Sequence, residues 1–177
     1  MWSSEGPAAL QRRRTFVGIW VLALGLGMLG GCGFELRKAP QLQFHTIELD
    51  GFKPHSPLGE ELRRSINASA TTIVVDSRAQ AQVVLETLGD VRAKVVVASN
   101  SVGEVTEFQL RERFSFQLRS VSGRELIPNT EISLTRDLSY TESAALSKEQ
   151  EEAFLYRAMQ SDIVSQVLRR LASIQNF

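Results

Sequence analysis

Phe108-Gln109-Leu110-Arg111-Glu112-Arg113-Phe114-Ser115-Phe116-Gln117-Leu118-Arg119 alternates apolar and polar side chains along its whole length, with Glu112 the one polar residue on the apolar parity. Successive side chains of a strand point to opposite faces, so this stretch predicts a long strand with one dry and one wet face. The run before it has a similar pattern. Val83, Leu85, Val91, Ala93, Val95 and Val97 share one parity and Glu86, Asp90, Arg92 and Lys94 the other, and Asn100 to Gly103 supplies a turn. After Ser122-Gly123, Leu126, Ile132, Leu134 and Leu138 continue the apolar face opposite Glu131, Ser133, Thr135 and Asp137. Three consecutive strands joined by tight turns make an antiparallel meander.

The flanks change period. Ser56-Pro57 offers an N-cap followed by proline at the first helical position, and Leu58, Leu62 and Ile66 recur four apart, predicting a three-turn helix. On either side, Phe44 to Leu49 and Thr72 to Val75 read as short strands, the first ending at the turn signal Asp50-Gly51. Near the C-terminus, Leu155, Met159, Ile163, Val167, Leu171 and Ile174 repeat at helical spacing, with Phe154, Ala158 and Leu168 widening the stripe. Ser147 and Gln150 have the spacing of a capping box at its start. The expected fold is α+β: a two-layer sandwich with two amphipathic helices on one face of a mixed, mostly antiparallel sheet.

The N-terminal segment is of another kind. Arg12, Arg13 and Arg14 precede the apolar stretch Phe16 to Leu29, and Gly30-Gly31 then lead into Cys32, the sole cysteine of the chain. This order of basic, apolar and small residues is that of a cleaved signal, and a cysteine directly after the small residues resembles a bacterial lipoprotein signal. That resemblance implies cleavage after Gly31 and acylation of Cys32, with Gly33 at the next position pointing to the outer membrane. Several acyl chains hold a protein stably on a membrane surface without a span. Residues 1–31 are expected to be the signal peptide, 32–43 a lipidated tether, and 44–177 a single domain. Loss of 1–31 removes Arg12, Arg13, Arg14 and Glu5 from a precursor with 20 basic and 20 acidic residues, leaving a slight acidic excess. Such a balance gives no attraction to nucleic acid.

Catalytic chemistry is poorly provided for. His45 and His55 lack carboxylate or cysteine neighbours at metal-ligand spacing, and no phosphate loop, nucleophile elbow or HExxH occurs. Glu104, Glu107 and Glu112 do not share a strand face. No enzyme and no cofactor is expected. Two cations stand out instead. Arg136 has the parity of Leu134 and Leu138, so it must lie near the sheet's end, be paired, or follow a bulge. Lys148 falls at the start of the last helix, where the helix dipole disfavours a cation unless something anionic approaches.

Cys32-Gly33-Phe34-Glu35-Leu36-Arg37, the Thr106-to-Leu110 strand, Thr135-Arg136-Asp137-Leu138-Ser139-Tyr140, Ala145-Leu146-Ser147-Lys148 and the closing Leu168-Arg169-Arg170-Leu171 occur in order across the mature chain. Together they resemble the LPS-assembly lipoprotein LptE family. The resemblance implies a lipid-anchored protein on the periplasmic side of the outer membrane. There it would plug the lumen of the LPS-assembly β-barrel LptD, assist its assembly and bind lipopolysaccharide on its way to the outer leaflet. It also implies a lipopolysaccharide site at Lys148 and Arg136. A further basic residue of the family, expected in the turn before Gly103, is replaced here by Ser101 or Asn100, which leaves Arg111 and Arg113 as the next candidates. A generic outer-membrane adaptor for another periplasmic partner, without a lipid ligand, is the alternative reading, and a lipid-anchored hydrolase a more distant one.

Overall fold

Long strands and a long helix set the dimensions. The computed structural model describes residues 41–174; the expected signal peptide, Cys32 and most of the expected tether lie outside them. In chain order the elements are β1 (Thr46–Asp50), α1 (Pro57–Asn67), β2 (Ile73–Val75), β3 (Val83–Ser99), β4 (Val105–Ser120), β5 (Glu125–Ser139) and α2 (Ala145–Ala172). The five strands form one sheet in the order β2-β1-β3-β4-β5. β1 pairs parallel with both β2 and β3, and the β3–β4 and β4–β5 pairings are antiparallel. This is the α+β architecture expected of the sequence, with two helices against one face of a mixed sheet.

The meander strands run 15 to 17 residues, about 50 Å at the usual rise. β1 covers β3 only from Val83 to Glu86, so the three long strands continue past the small parallel part as an arm. Two turns close it, each with a glycine at positive φ: Gly103 at 89° and Gly123 at 90°. At the first, the Asn100 side chain accepts from the Val102 and Glu104 amides and donates to the Glu104 carboxylate. Asn100 is thus the structural lynchpin of the turn, and Ser101 sits exposed at its tip.

The core lies between sheet and helices. Phe44, Ile47, Leu58, Leu62, Ile66, Val83, Leu85, Phe114, Phe116 and Leu118 are almost fully buried together with Ile163, Val167 and Leu171. Leu42 is buried in this cluster too, so packing already includes the end of the segment expected to be a tether. α1 starts as its sequence predicts: the Ser56 hydroxyl accepts from the Gly59 amide at 3.3 Å, with Pro57 first in the helix.

Four local expectations fail. In β3 the parity inverts near Gly89: Thr87 faces Phe116 and Asp90 faces Phe114, so three steps on β3 match two on β4. The extra residue is a bulge, and it turns Arg92 and Lys94 toward the helices while leaving Val91 and Val95 exposed on the open face. An isolated glycine inside a strand pattern is the sequence signal for such a bulge. In β5 a second irregularity, next to Pro128, makes Ile127 the buried residue where Leu126 was expected to lead. Finally, α2 begins at Ala145 after the 3-10 turn Glu142–Ala144, and Ser147 lies inside it, donating to the Ala144 carbonyl; the capping box does not form. Phe154, expected to widen the apolar stripe, is 63% exposed.

Candidate functional site

The site candidates lie where β5 ends and α2 begins. Arg136 is on the helix-facing side of β5, opposite Leu110. Of the three solutions open to it, pairing is the one found: its guanidinium donates to Asp162 of α2 at 3.2 Å and to the Thr135 carbonyl at 3.0 Å. Half of its side chain remains in solvent. Lys148 belongs to the second half of the first turn of α2, not to its first position. Its ammonium donates to the Ser139 hydroxyl at 3.1 Å and to Glu151 at 2.8 Å, and the side chain is mostly covered.

These two cations do not meet at one point. Lys148 and the Arg136 partner Asp162 are separated on α2 by fourteen residues, about 21 Å along the axis. Between them the sheet contributes a third cation that the strand parity had assigned to the other face. Lys94 donates to Glu152 at 2.6 Å, and its ammonium lies 4.2 Å from the centre of the Phe108 ring. Phe108 in turn meets Tyr140 edge-on at 5.2 Å. The same two rings line an open cleft of about 600 Å³ with Asn100, Glu104, Thr106 and Glu142. Lys94 of β3 and Arg136 of β5 thus lie in register on either side of Leu110, with Lys148 near the end of β5, and each cation is paired with one carboxylate of α2. Only the Arg136–Asp162 pair is exposed on both sides, and such a pair contributes little to stability; Lys94 and Lys148 are largely covered.

Arg111 and Arg113, the other basic candidates, are on the opposite, open face of the sheet. Arg111 donates to Gln109 and Arg113 pairs with Glu131 at 3.4 Å. His45 is tied to the Thr71 carbonyl through Nδ1, and His55 is exposed in the loop before α1. Among the described residues no group of side chains is arranged to hold a metal ion, and no helix is long and apolar enough to cross a membrane.

A family model described as LptE, lipopolysaccharide-assembly, matches residues 44–171, which takes in the whole sheet, α1 and all of α2 but its last residue. The chain belongs to the LptE family. A relative named LPS-assembly lipoprotein LptE from Pectobacterium atrosepticum is 28% identical over 160 residues, spanning 88% of this chain and 86% of that one. Among solved structures, an uncharacterized lipoprotein B from Nitrosomonas europaea is 30% identical with a TM-score of 0.68, covering 80% of this chain and 91% of the other. Rare lipoprotein B from Shewanella oneidensis, 19% identical, shares the fold with a TM-score of 0.62 over 73% of this chain and 95% of its own. The LptE family is one of lipopolysaccharide assembly and not a catalytic one.

Proposed function

We propose that this LptE-family chain is an outer-membrane lipoprotein, anchored on the periplasmic side through Cys32, that plugs the LptD β-barrel, assists its assembly and binds lipopolysaccharide during delivery to the outer leaflet. Family membership over the whole folded domain carries the reading. The surface supports it physically. A barrel lumen is polar, and the open sheet face offers it Gln109, Arg111, Arg113, Glu131, Ser133 and Asp137, while most large apolar side chains are folded inward. Lipid A phosphates and core carboxylates call for charge-assisted contacts, which Lys148 and Arg136 would supply from the α2 edge.

Replacing both, Lys148→Glu and Arg136→Glu, is expected to weaken lipopolysaccharide binding in a salt-controlled titration and to leave copurification with the barrel largely intact, since many contacts hold a plug of this size. Unchanged lipopolysaccharide binding by a folded double variant rules these residues out and moves attention to Arg111 and Arg113. Copurification with a soluble periplasmic protein in place of a large barrel supports a generic adaptor. For the anchor, mass spectrometry of the mature N-terminus should find an acylated Cys32, and Cys32→Ala should leave the fold intact but release the protein from membranes; an unmodified Cys32 or a retained 1–31 segment overturns that part.

A further inference from the structure

The interior is divided in two by polar groups. The larger apolar cluster takes Ile163, Val164, Val167 and Leu171 from α2, whereas the smaller one has only Leu110, Leu138 and Met159 fully buried, with Phe108, Leu155 and Tyr156 packed against them. Glu112 stands between the two on β4, its side chain wholly buried, with Leu134 opposite and touching both clusters. Arg92 of β3 donates to a single Glu112 oxygen, Oε1, through Nε at 3.1 Å and Nη2 at 3.0 Å, and to Gln160 Oε1 at 2.8 Å. Gln160 continues the chain to α1 by donating to the Pro57 carbonyl and the Glu61 carboxylate, which also accepts from Ser161. Glu112 Oε2 is buried with no hydrogen-bond partner. Such a network is a seam that joins elements without the adhesion of an apolar core, and its one unsatisfied buried oxygen is costly in a low-dielectric interior, which lessens what the network contributes to closure.

We propose that α2 opens in two parts at this seam: residues 145–158, with the arm surface they cover, form a flap that is released locally while residues 162–172 stay on the main core. No residue of 145–158 is fully buried, Leu155 and Tyr156 packing only partly against the small cluster, whereas 162–172 puts Ile163, Val164, Val167 and Leu171 into the main one, and regions with few buried apolar contacts open at lower free energy than the global transition. The remaining flap contacts are polar: Lys94–Glu152, the Tyr156 hydroxyl on the Ala93 carbonyl, and Lys148 on Ser139.

The groups facing Glu112 give the seam a sense with pH. Arg92 and Asp90 face it from β3, Glu61 from α1, and Tyr156 and Gln160 approach from α2 around Arg92. Burial pushes the Glu112 carboxyl above its ordinary value, Arg92 opposes this, and Asp90 and Glu61 add to the rise. The closed form therefore binds the proton more readily than the opened, hydrated one, so the Glu112 contribution favours closure as pH falls and opening as it rises.

Hydrogen exchange of the full mature chain, resolved for peptides within 145–158 and 162–172 and corrected for intrinsic rates, tests this. The first segment is expected to exchange through local opening, largely independent of low urea, and the second only through global unfolding. Glu112→Gln keeps the shape without the charge; it should slow opening of 145–158 relative to the parent near pH 8 and lose that advantage near pH 5. Each unit by which burial raises the carboxyl corresponds to about a tenfold difference in opening. The difference between parent and variant isolates the contribution of Glu112. Equal opening free energies for the two segments overturn the flap, and separate opening that Glu112→Gln leaves unchanged overturns the seam.

Discussion

Phe114→Ala is expected to lower the unfolding free energy by about 3–5 kcal/mol, the usual cost of deleting a buried aromatic ring and leaving a cavity. Phe114 has no exposed surface, and its ring stacks on Phe116 at 5.5 Å and on Phe52, from the loop before α1, at 6.0 Å. It therefore ties the middle of the sheet both to its own strand neighbour and to the connection that positions α1. Phe114 is paired on both sides, with Asp90 just past the β3 bulge and with Ile132 of β5, so collapse of the backbone into the void is resisted. Urea unfolding of parent and variant measures the loss. A change below about 1 kcal/mol, far less than a buried ring contributes, means that the ring is not packed on this face.

Arg92→Leu should be nearly as damaging for a different reason. It leaves Glu112 wholly buried without its counter-ion, and removing one partner of a buried pair is far costlier than replacing both. The Arg92 side chain keeps 37% of its surface exposed, so water reaches one side of the pair and the expected loss is near the lower end of the usual range, about 3 kcal/mol. This loss depends on pH in a defined direction. Without Arg92, burial, Asp90 and Glu61 all raise the Glu112 carboxyl and nothing lowers it. A carboxyl raised in the folded state is protonated there before it is in the unfolded chain, so the penalty is full above the raised value and shrinks as the pH falls through it. Urea titrations at pH 8 and pH 5 should show the variant closer to the parent in acid. An equal deficit at both would assign the effect of Arg92 to packing alone.

Both variants act on residues whose faces were read very differently from the sequence. For Phe114 the apolar alternation of β4 is interrupted only by Glu112, and the burial of the strand alternates without a break from Leu110 to Ser120, so Phe114 takes the face its parity predicts. Arg92 is the opposite case. By parity it shares a face with Glu86, yet the bulge near Gly89 inserts one residue and inverts the side chains from Asp90 to Val96, where the next irregularity follows. One displaced residue suffices because the side-chain period of a strand is two. The consequence reaches the candidate site: Lys94 joins the cations that pair with α2, and the lone polar residue on the β4 apolar face, Glu112, finds its partner on the neighbouring strand.

The cations themselves were visible as residues out of place, but their spacing was not. Arg136 was flagged by parity, and Lys148 by its closeness to a helix start. That Arg136 is answered by Asp162, fourteen residues beyond Lys148, depends on how α2 lies across the meander. No local pattern encodes the crossing of a helix over a sheet, since it results from the packing of Met159, Ile163 and Val167 into clusters with side chains of β4 and β5.

What the sequence determined by itself is whatever rests on periodicity and local chemistry. The alternation from Phe108 to Arg119 makes β4 and its dry face, Ser56-Pro57 starts α1, and the four-residue repeat from Leu155 to Leu171 makes α2, because each pattern has one regular conformation that gathers its apolar side chains on one side. The tertiary structure alone decided the parallel insertion of β1 between β2 and β3, the inversion past Gly89, the earlier start of α2 at Ala145, and the polar seam of Glu112, Arg92, Gln160 and Glu61. Each of these joins residues distant in the chain, where the free energy of a contact depends on which surfaces have already come together and not on the neighbours in sequence.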